Sequence, residues 1–299
     1  MQRHALVGCS AVATAAFILV WRRRAAARRA AVTLRLRVPY NEFSMFHENA
    51  QEHGISYNHP PQVCRKVVAL PGNRNISALV WGDAAPQIVL LHGGAQNAHT
   101  WDTVALALGV PLVSIDLPGY GHSDNSAAAM TDTVSAAADV ARAIDALAPS
   151  AAMVVGMSFG GLTAIALSSQ RPDLVRRLVL VDVTPGITNA KAKHILDFVR
   201  GPASFDSLDE MLARAVQAYP TRSRAALRRG LLHNARQQED GSWVWRHARF
   251  HSALSSRLSF LWSYTSAACG QLGAPTSHAA LWGVVGALKV PCLLVRGMR

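Results

Sequence analysis

The sequence is poor in cysteine and lacks the common cofactor motifs. Its 299 residues include four cysteines, whose spacing matches neither a disulfide framework nor a metal site: Cys9, Cys64, Cys269 and Cys292. We therefore expect free thiols in a reducing compartment. No Gly-x-x-x-x-Gly-Lys-Ser/Thr loop and no paired-histidine helix motif occurs, so the sequence predicts neither a nucleotide cofactor nor a metal.

Acidic residues are scarce, and most of all near the N-terminus. The chain has 30 Lys and Arg against 18 Asp and Glu, a formal net charge of +12. Residues 1–38 hold eight arginines and no acid, whereas the remaining residues carry an excess of only four positive charges. Because the charge belongs to one terminal segment, we do not predict a nucleic-acid-binding surface.

An uncharged, apolar run lies near the N-terminus. Residues 5–21 carry no charge, end in Trp21 and precede Arg22, Arg23 and Arg24. This run predicts a single membrane span of minimal length, and the positive charge after it predicts that the following domain stays cytosolic. The alternative is a mitochondrial targeting sequence, which is also rich in arginine and alanine and poor in acids.

The most informative stretch is Gly156-Met157-Ser158-Phe159-Gly160-Gly161. A buried strand is predicted before it, over residues 151–155, and a helix after it, from residue 162. Gly-x-Ser-x-Gly between a strand and a helix is typical of a nucleophile elbow, a strained turn that presents a serine hydroxyl above the sheet. The glycines are needed where strand and helix pass closely. The alternative is a glycine-rich turn whose serine only caps the helix.

Other apolar runs predict the rest of the architecture. They indicate a helix over residues 131–148 and strands over residues 63–70, 76–81, 87–91, 112–115 and 178–181. Continuous apolar strands that alternate with helices predict an α/β fold, with a mostly parallel, twisted sheet covered by helices on both faces.

Three motifs occur in a fixed order along this predicted sheet. They are His92-Gly93-Gly94, the segment Asp-Leu-Pro-Gly-Tyr-Gly-His-Ser at residues 116–123, and the elbow around Ser158. Together they resemble the α/β-hydrolase fold superfamily of the esterase, lipase and carbon–carbon hydrolase kind. The resemblance covers about residues 63–186 and returns at residues 290–297.

The resemblance implies a division of the chain, with a helical cap inserted between core strands six and seven. The expected parts are an anchor or targeting segment (1–38), a linker (39–62), an α/β-hydrolase core (63–186), a cap (187–285) and the seventh core strand with the chain end (286–299).

The resemblance also implies roles for individual residues. Ser158 would be the nucleophile, and the backbone N–H groups of Gly94 and Phe159 would form the oxyanion hole. His92 and His122 would be structural residues of their loops. Relatives that open epoxides or displace halide carry aspartate at the elbow, so serine here favours acyl transfer or carbon–carbon cleavage.

Two members of the expected triad are missing from the sequence pattern. The superfamily places an acid after the seventh strand and a histidine after the eighth, whereas the sequence ends soon after residues 292–297. We expect either a fragment of a longer polypeptide or a shortened, inactive relative. Asp182 is a possible acid, and the catalytic histidine is unknown, since packing or surface roles are favoured for the histidines of the cap: His194, His233, His247, His251 and His278.

Two functional hypotheses follow. The first is a serine hydrolase that acts through Ser158 on a small or lipid-like ester or related carbonyl substrate and is incomplete as given. The second is a non-catalytic binding or scaffold protein of the same fold, for which the missing acid and histidine are the reason. The sequence leaves the choice of substrate open.

Overall fold

A computed structural model describes residues 37–56, 60–125, 132–183, 201–247 and 278–296. In chain order the helices are α1 (Phe46–Glu52), α2 (Asp102–Leu108), α3 (Thr133–Leu147), α4 (Phe159–Gln170), α5 (Leu208–Ala218), α6 (Arg224–Asn234) and α7 (His278–Gly286). The strands are β1 (Val63–Leu70), β2 (Arg74–Trp81), β3 (Ile88–Leu91), β4 (Leu112–Ile115), β5 (Met153–Met157), β6 (Leu178–Val181), β7 (Ser204–Phe205), β8 (Ala235–Gln237), β9 (Trp243–Trp245) and β10 (Cys292–Val295). Short 3-10 turns occupy Ala98–Trp101 and Pro172–Leu174.

The main sheet of the described residues has seven strands in the order β1-β2-β4-β3-β5-β6-β10. β1 and β2 form an antiparallel hairpin, and β2 pairs antiparallel with β4. The remaining neighbours all pair in parallel. The predicted mostly parallel sheet is therefore confirmed. Parallel strands end at the same edge, so the loops after β3, β4, β5 and β6 meet there.

Both faces of this sheet are buried, as its apolar strands require. Along β3, Val89 and Leu91 face the cluster that contains α3 and α4, whereas Leu90 faces the cluster that contains Phe46 and Trp101. This alternation follows from the two-residue period of a strand. Helices on both faces, the second half of the fold prediction, are confirmed as well.

An inserted region, called the cap below, lies between β6 and β10. Within residues 201–247 it contains α5, α6 and a three-stranded antiparallel sheet in the order β7-β9-β8. The N-cap hydroxyls of Ser207 and Ser223 accept backbone N–H groups at the starts of α5 and α6. The cap thus has its predicted place between core strands six and seven, with a small sheet in addition to its helices.

Residues 37–52 are called the strap below. Residues 39–62 were expected to be an aperiodic linker, but the strap contains the seven-residue helix α1. The Phe46 ring packs on Trp81 of β2, with ring centroids 4.9 Å apart. Met45, the residue before it, joins the apolar cluster of the cap. The strap therefore packs against the core and the cap at once, and its apolar positions are too few to show a helical period in the sequence.

The predicted membrane location is wrong. In the described ranges no helix combines the length and apolar character needed to cross a bilayer. Residues 5–21, on which that prediction rested, lie outside those ranges.

Candidate active site

Ser158 occupies the sharp turn between β5 and α4. Its backbone angles are φ 49° and ψ −117°. Residues other than glycine rarely adopt this combination. The residue is partly exposed, while α4 behind it is buried from Phe159 to Ser168. A rigid, fully packed helix therefore supports a strained serine at the carboxyl edge of the sheet.

The glycines on either side of Ser158 allow strand and helix to pass closely. A Cβ atom at Gly156 would lie 2.5 Å from the carbonyl oxygen of Gly160. A Cβ atom at Gly160 would collide with the carbonyl oxygen of Leu91 and lie 2.5 Å from that of His92. All three obstacles are backbone atoms, which cannot move without distorting β3, the loop after it or α4.

We expect Gly160→Ala to lower the free energy of unfolding by about 3 kcal/mol, because overpacking against backbone cannot relax by side-chain rotation. Gly230→Ala is the matched control. Gly230 lies in α6 and has no atom within 4 Å of an added Cβ, so this change should raise stability by about 1 kcal/mol through helix propensity. Urea unfolding of both variants checks this, and equal effects would contradict the close approach at Gly160.

The loop after β3 lies directly beside Ser158. A Cβ atom at Gly93 would stand 3.3 Å from the Ser158 Cβ, whereas one at Gly94 would meet nothing within 4 Å. The Gln96 side chain folds back and accepts the Gly93 N–H at 2.9 Å, and Ala95 has a positive φ of 59°. Gly94 thus borders open space, in a loop beside the serine whose shape is held by the hydrogen bond between Gly93 and the Gln96 side chain.

His92 is a completely buried structural residue of this loop. Its Nδ1 lies 2.7 Å from the carbonyl oxygen of Gly93, and its Nε2 accepts the Leu117 N–H at 2.9 Å. Nδ1 therefore donates, and burial keeps the ring neutral by lowering its pKa. With both nitrogens engaged, the imidazole is not available as a base for Ser158, in agreement with its expected structural role.

Asp116, at the end of β4, ties the loops around the serine together. One carboxylate oxygen accepts the Ala98 N–H at 2.7 Å. The other accepts the His122 N–H at 3.0 Å and pairs with Arg65 at 2.7 Å. The carboxylate is fully buried, so each of these donors depends on it. The sequence motif contained Asp116, but nothing in it indicated this role.

His122 is held by its backbone N–H in the same network, which agrees with the expected turn-stabilising role. Burial, Arg65 and Arg246 lower the pKa of His122 to about 4. Its imidazole is therefore neutral at physiological pH.

Aromatic side chains from the core and the cap meet beside the elbow. Tyr120 packs edge-on against His92 and contacts Phe159, with ring centroids 5.5 and 6.2 Å apart. From the cap, His247 lies 6.4 Å from Tyr120 and stacks on Trp245 at 5.4 Å. The end of β9 thus covers Tyr120, which in turn contacts the residue after Ser158, and it supplies an aromatic wall that the sequence did not reveal.

Asp182, the possible acid, follows β6 and has a positive φ of 50°. Its backbone N–H bonds to the Val295 carbonyl oxygen at 2.8 Å, and its side chain is exposed. Within the described ranges, no hydrogen bond or ion pair joins its carboxylate to a histidine. The structure places the loop of Gly93 and Gly94 and the start of α4 at Ser158, whereas Asp182 is not paired with any histidine of the described residues.

The cap histidines named in the sequence analysis have different positions. His194 and His251 lie outside the described residues, and only the backbone of His278 is described, at the start of α7. His247 belongs to the aromatic wall. His233 is buried and stacks on His99 of the core, with centroids 3.8 Å apart and planes 15° from parallel.

His99 is held between two carboxylates. Its Nδ1 lies 2.9 Å from Asp102, and its Nε2 lies 3.1 Å from Glu42 of the strap. Carboxylates accept hydrogen bonds, so both nitrogens donate and the ring is an imidazolium. Burial opposes this charge, but Asp102 and Glu42 outweigh it and raise the pKa of His99 to about 9. Burial also opposes charge on Glu42, whose pKa is nevertheless far below its usual value because His99 and Arg65 hydrogen-bond to it.

His99, Asp102 and His233 are also the described residues that come closest to a metal-binding group. Two imidazoles and a carboxylate match the donors that transition metals prefer. However, parallel stacked rings direct their lone pairs side by side rather than toward one point. The His99 nitrogens also carry protons toward carboxylates. The arrangement therefore fits a bound proton and not a metal ion.

Comparisons with known proteins agree with this geometry. The α/β hydrolase fold family matches residues 86–260. The esterase Rv0045c of Mycobacterium tuberculosis is 40% identical over 267 residues, which cover 86% of this chain and 79% of that protein. A crystal structure of Rv0045c has a TM-score of 0.68 at 40% identity, covering 87% of this chain and 81% of that chain. Lipase LipV of the same organism is 34% identical over 140 residues, 46% of this chain and 52% of the lipase.

Proposed function

Because this chain belongs to the α/β-hydrolase fold family, we propose that it is a serine esterase that uses Ser158 as its nucleophile. The observation that carries this proposal is the strained backbone of Ser158, with φ 49°, beside the open position at Gly94. Strain of this kind persists where the surrounding packing enforces it and where function needs it.

The roles of the surrounding groups follow from chemistry. Attack by the Ser158 hydroxyl on an ester carbonyl creates a negative oxygen, which fixed N–H donors stabilise. The N–H of Phe159 is at the first residue of α4, where helix N–H groups lack an intrahelical acceptor. The N–H of Gly94 belongs to the loop after β3, next to Gly93, where an added Cβ would stand 3.3 Å from that of Ser158. Both donors are backbone groups, so the packing of the loop and helix fixes them before substrate binds.

The substrate class is a small or lipid-like ester. Rv0045c is named an esterase and LipV a lipase, and the aromatic wall of Tyr120, Trp245 and His247 offers apolar contacts beside the elbow. An apolar acyl or alcohol group would gain about 25 cal/mol for each Å² of surface that such a wall removes from water.

Active-site labelling tests this proposal directly. The full chain is treated with a fluorophosphonate, and the modified residue is identified by peptide mass spectrometry. We expect modification at Ser158 alone and none in Ser158→Ala. Labelling at another serine, or at no serine in a chain that is shown to be folded, would contradict the proposal.

A second function is favoured by one observation. Asp182 and the described histidines form no pair beside Ser158, and without a base a serine hydroxyl is a weak nucleophile. A non-catalytic binding protein of the same fold would keep the cleft and lack turnover. It predicts that esters bind to the wild-type chain and to Ser158→Ala with equal affinity and are not consumed by either.

A further inference from the structure

Three separate parts of the chain meet at the stacked histidines. His99 lies in the 3-10 turn after β3, and His233 lies near the end of α6 in the cap. Tyr40 of the strap places its hydroxyl 2.9 Å from Nδ1 of His233. All three are held in the interior or half-buried, so their polar atoms depend on one another.

The charges of the two rings are complementary. His99 is an imidazolium, because both of its nitrogens face carboxylates. Nδ1 of His233 meets the Tyr40 hydroxyl instead of a carboxylate, and its Nε2 lies 3.8 Å from Asp102, beyond hydrogen-bond distance, so no hydrogen-bonded carboxylate holds a second proton on this ring. A cation stacked on a neutral ring is favourable when both are desolvated, whereas two cations at 3.8 Å would repel.

This stack connects the loop beside Ser158 to the cap. The Asn97 side chain donates to the His233 carbonyl oxygen at 2.9 Å and to Asn234 at 2.7 Å. After α6 the chain enters β8, which pairs with β9, and the end of β9 carries Trp245 and His247 over Tyr120. The position of α6 on the core therefore determines where the aromatic wall stands.

We propose that His99 and His233 are positioning residues for the ester reaction. Their stack holds the cap in a fixed position over the elbow, called the seating of the cap below, and this position sets the affinity for substrate. This rests on the proposed function for its effect on catalysis, but the seating itself can be measured without a substrate. Neither residue touches the reacting atoms in this role.

The proposal predicts a window of pH in which the cap is seated most firmly. Burial and the positive charge of His99 lower the pKa of His233 well below 6.5. Because the pKa of His233 is lower in the folded protein than in the unfolded chain, the folded state loses stability as the pH falls below the unfolded pKa. Acid therefore weakens the attachment of the cap to the core. His99 has a raised pKa, about 9, so its contribution is lost as the pH rises through that value. The charged and titratable groups that face the pair are Tyr40, Glu42, Arg65, Asp102 and Arg246.

Three variants of the full chain separate the possibilities. His233→Leu fills the space but removes the stack, and His233→Phe keeps an aromatic face over the imidazolium without a titrating group. Arg228→Gln changes an exposed residue on the same helix and is the matched control. His99 is left in place, because its removal would strand the buried Asp102 carboxylate and damage the fold.

Hydrogen exchange of residues 93–98 and 243–247 is the first readout, corrected for intrinsic rates at about pH 7.5 and about pH 5, on either side of the free pKa of histidine. We expect His233→Leu to speed exchange in both segments by about tenfold at the higher pH, the effect of losing one stacked pair. Arg228→Gln should match the wild type there, and His233→Phe, which loses the Tyr40 hydrogen bond but keeps the stack, should exchange more slowly than His233→Leu. At the lower pH the wild type should speed up and His233→Phe should not.

Kinetics with a p-nitrophenyl ester is the second readout. His233→Leu should raise KM by about tenfold and change kcat by less than about twofold. The displaced cap would bind the substrate and the transition state less tightly by the same amount, and the reacting groups are intact. Unchanged exchange in His233→Leu, or equal acid sensitivity in His233→Phe and the wild type, overturns the seating. Altered exchange with unchanged KM shows a purely structural stack and overturns the positioning role. A wild-type chain without turnover refutes the proposed function, and the exchange measurements still decide the seating.

Discussion

Replacing Ser158 with alanine should lower kcat/KM for ester hydrolysis by about four to six orders of magnitude, because removal of the nucleophile leaves only oxyanion stabilisation and binding. The fold should be unaffected, since alanine fits the same space and the hydroxyl makes no hydrogen bond that α4 depends on: the Ser158 carbonyl oxygen, not its side chain, accepts the Leu162 N–H at 3.0 Å. Steady-state rates with a p-nitrophenyl ester measure the effect.

Ser168→Ala is the control for this experiment. Ser168 lies on the same helix, and its hydroxyl donates to the Ile165 carbonyl oxygen at 2.6 Å, so the change removes one buried hydroxyl away from the elbow. We expect wild-type kinetics. A Ser158→Ala enzyme that retained its rate would mean that another group performs the chemistry, and a wild type without a rate would favour the binding protein.

Asp116→Ala should produce the largest loss of stability, about 3 to 5 kcal/mol, because it leaves Arg65 and two backbone N–H groups without their buried acceptor. The hydroxyl of Ser123 bonds to the Asp116 backbone, not to its carboxylate, and should be unaffected. Urea unfolding followed by circular dichroism measures the change.

Asp145→Ala is the matched control for a lost carboxylate. Asp145 pairs with Arg171 at 2.8 Å, but the Asp145 side chain is 45% exposed, and water replaces such a pair at little cost. We expect no measurable change in the unfolding midpoint. If both variants unfolded at the wild-type midpoint, the Asp116 network would not hold the loops as described.

The parallel sheet was predictable because buried strands leave a simple pattern. The predicted strands at residues 63–70, 112–115 and 178–181 coincide with β1, β4 and β6. β4 and β6 are short apolar runs that end at polar residues, and tertiary packing does not change that pattern; β1 contains Arg65 and Lys66 and lies in the antiparallel hairpin at the sheet edge. The elbow was predictable for the same reason, since the strand, the serine and the glycines are adjacent in the sequence.

Other features depend on contacts between distant residues. The strap helix α1 is recognisable only through its partners, Trp81 in the core and Arg229 in the cap, the latter hydrogen-bonded to Asn49 at 2.8 Å. Strands β7, β8 and β9 have two or three residues each, too few to show a period. The membrane prediction failed because a run of minimal length was interpreted from hydropathy and flanking charge alone.

The histidine stack could not have been inferred from either histidine by itself. His99 and His233 are separated by 134 positions in the printed sequence, and a lone buried histidine is an ordinary packing residue. One local signal was present, the short segment that contains Asn97, His99 and Asp102, because polar residues at this spacing bond to one another in a turn. It indicates a rigid turn but gives no information about a partner in the cap.

The strap has a consequence for how this protein can change over evolutionary time. Tyr40 contacts the cap and Glu42 contacts the core, so the surface on which the cap rests includes residues of the strap that lie outside the inserted segment. A cap acquired from another enzyme by recombination at β6 and β10 would leave these two side chains and His99 facing a foreign surface. New substrate ranges are therefore reached more readily by substitutions within β9 and its aromatic side chains than by exchange of the whole cap.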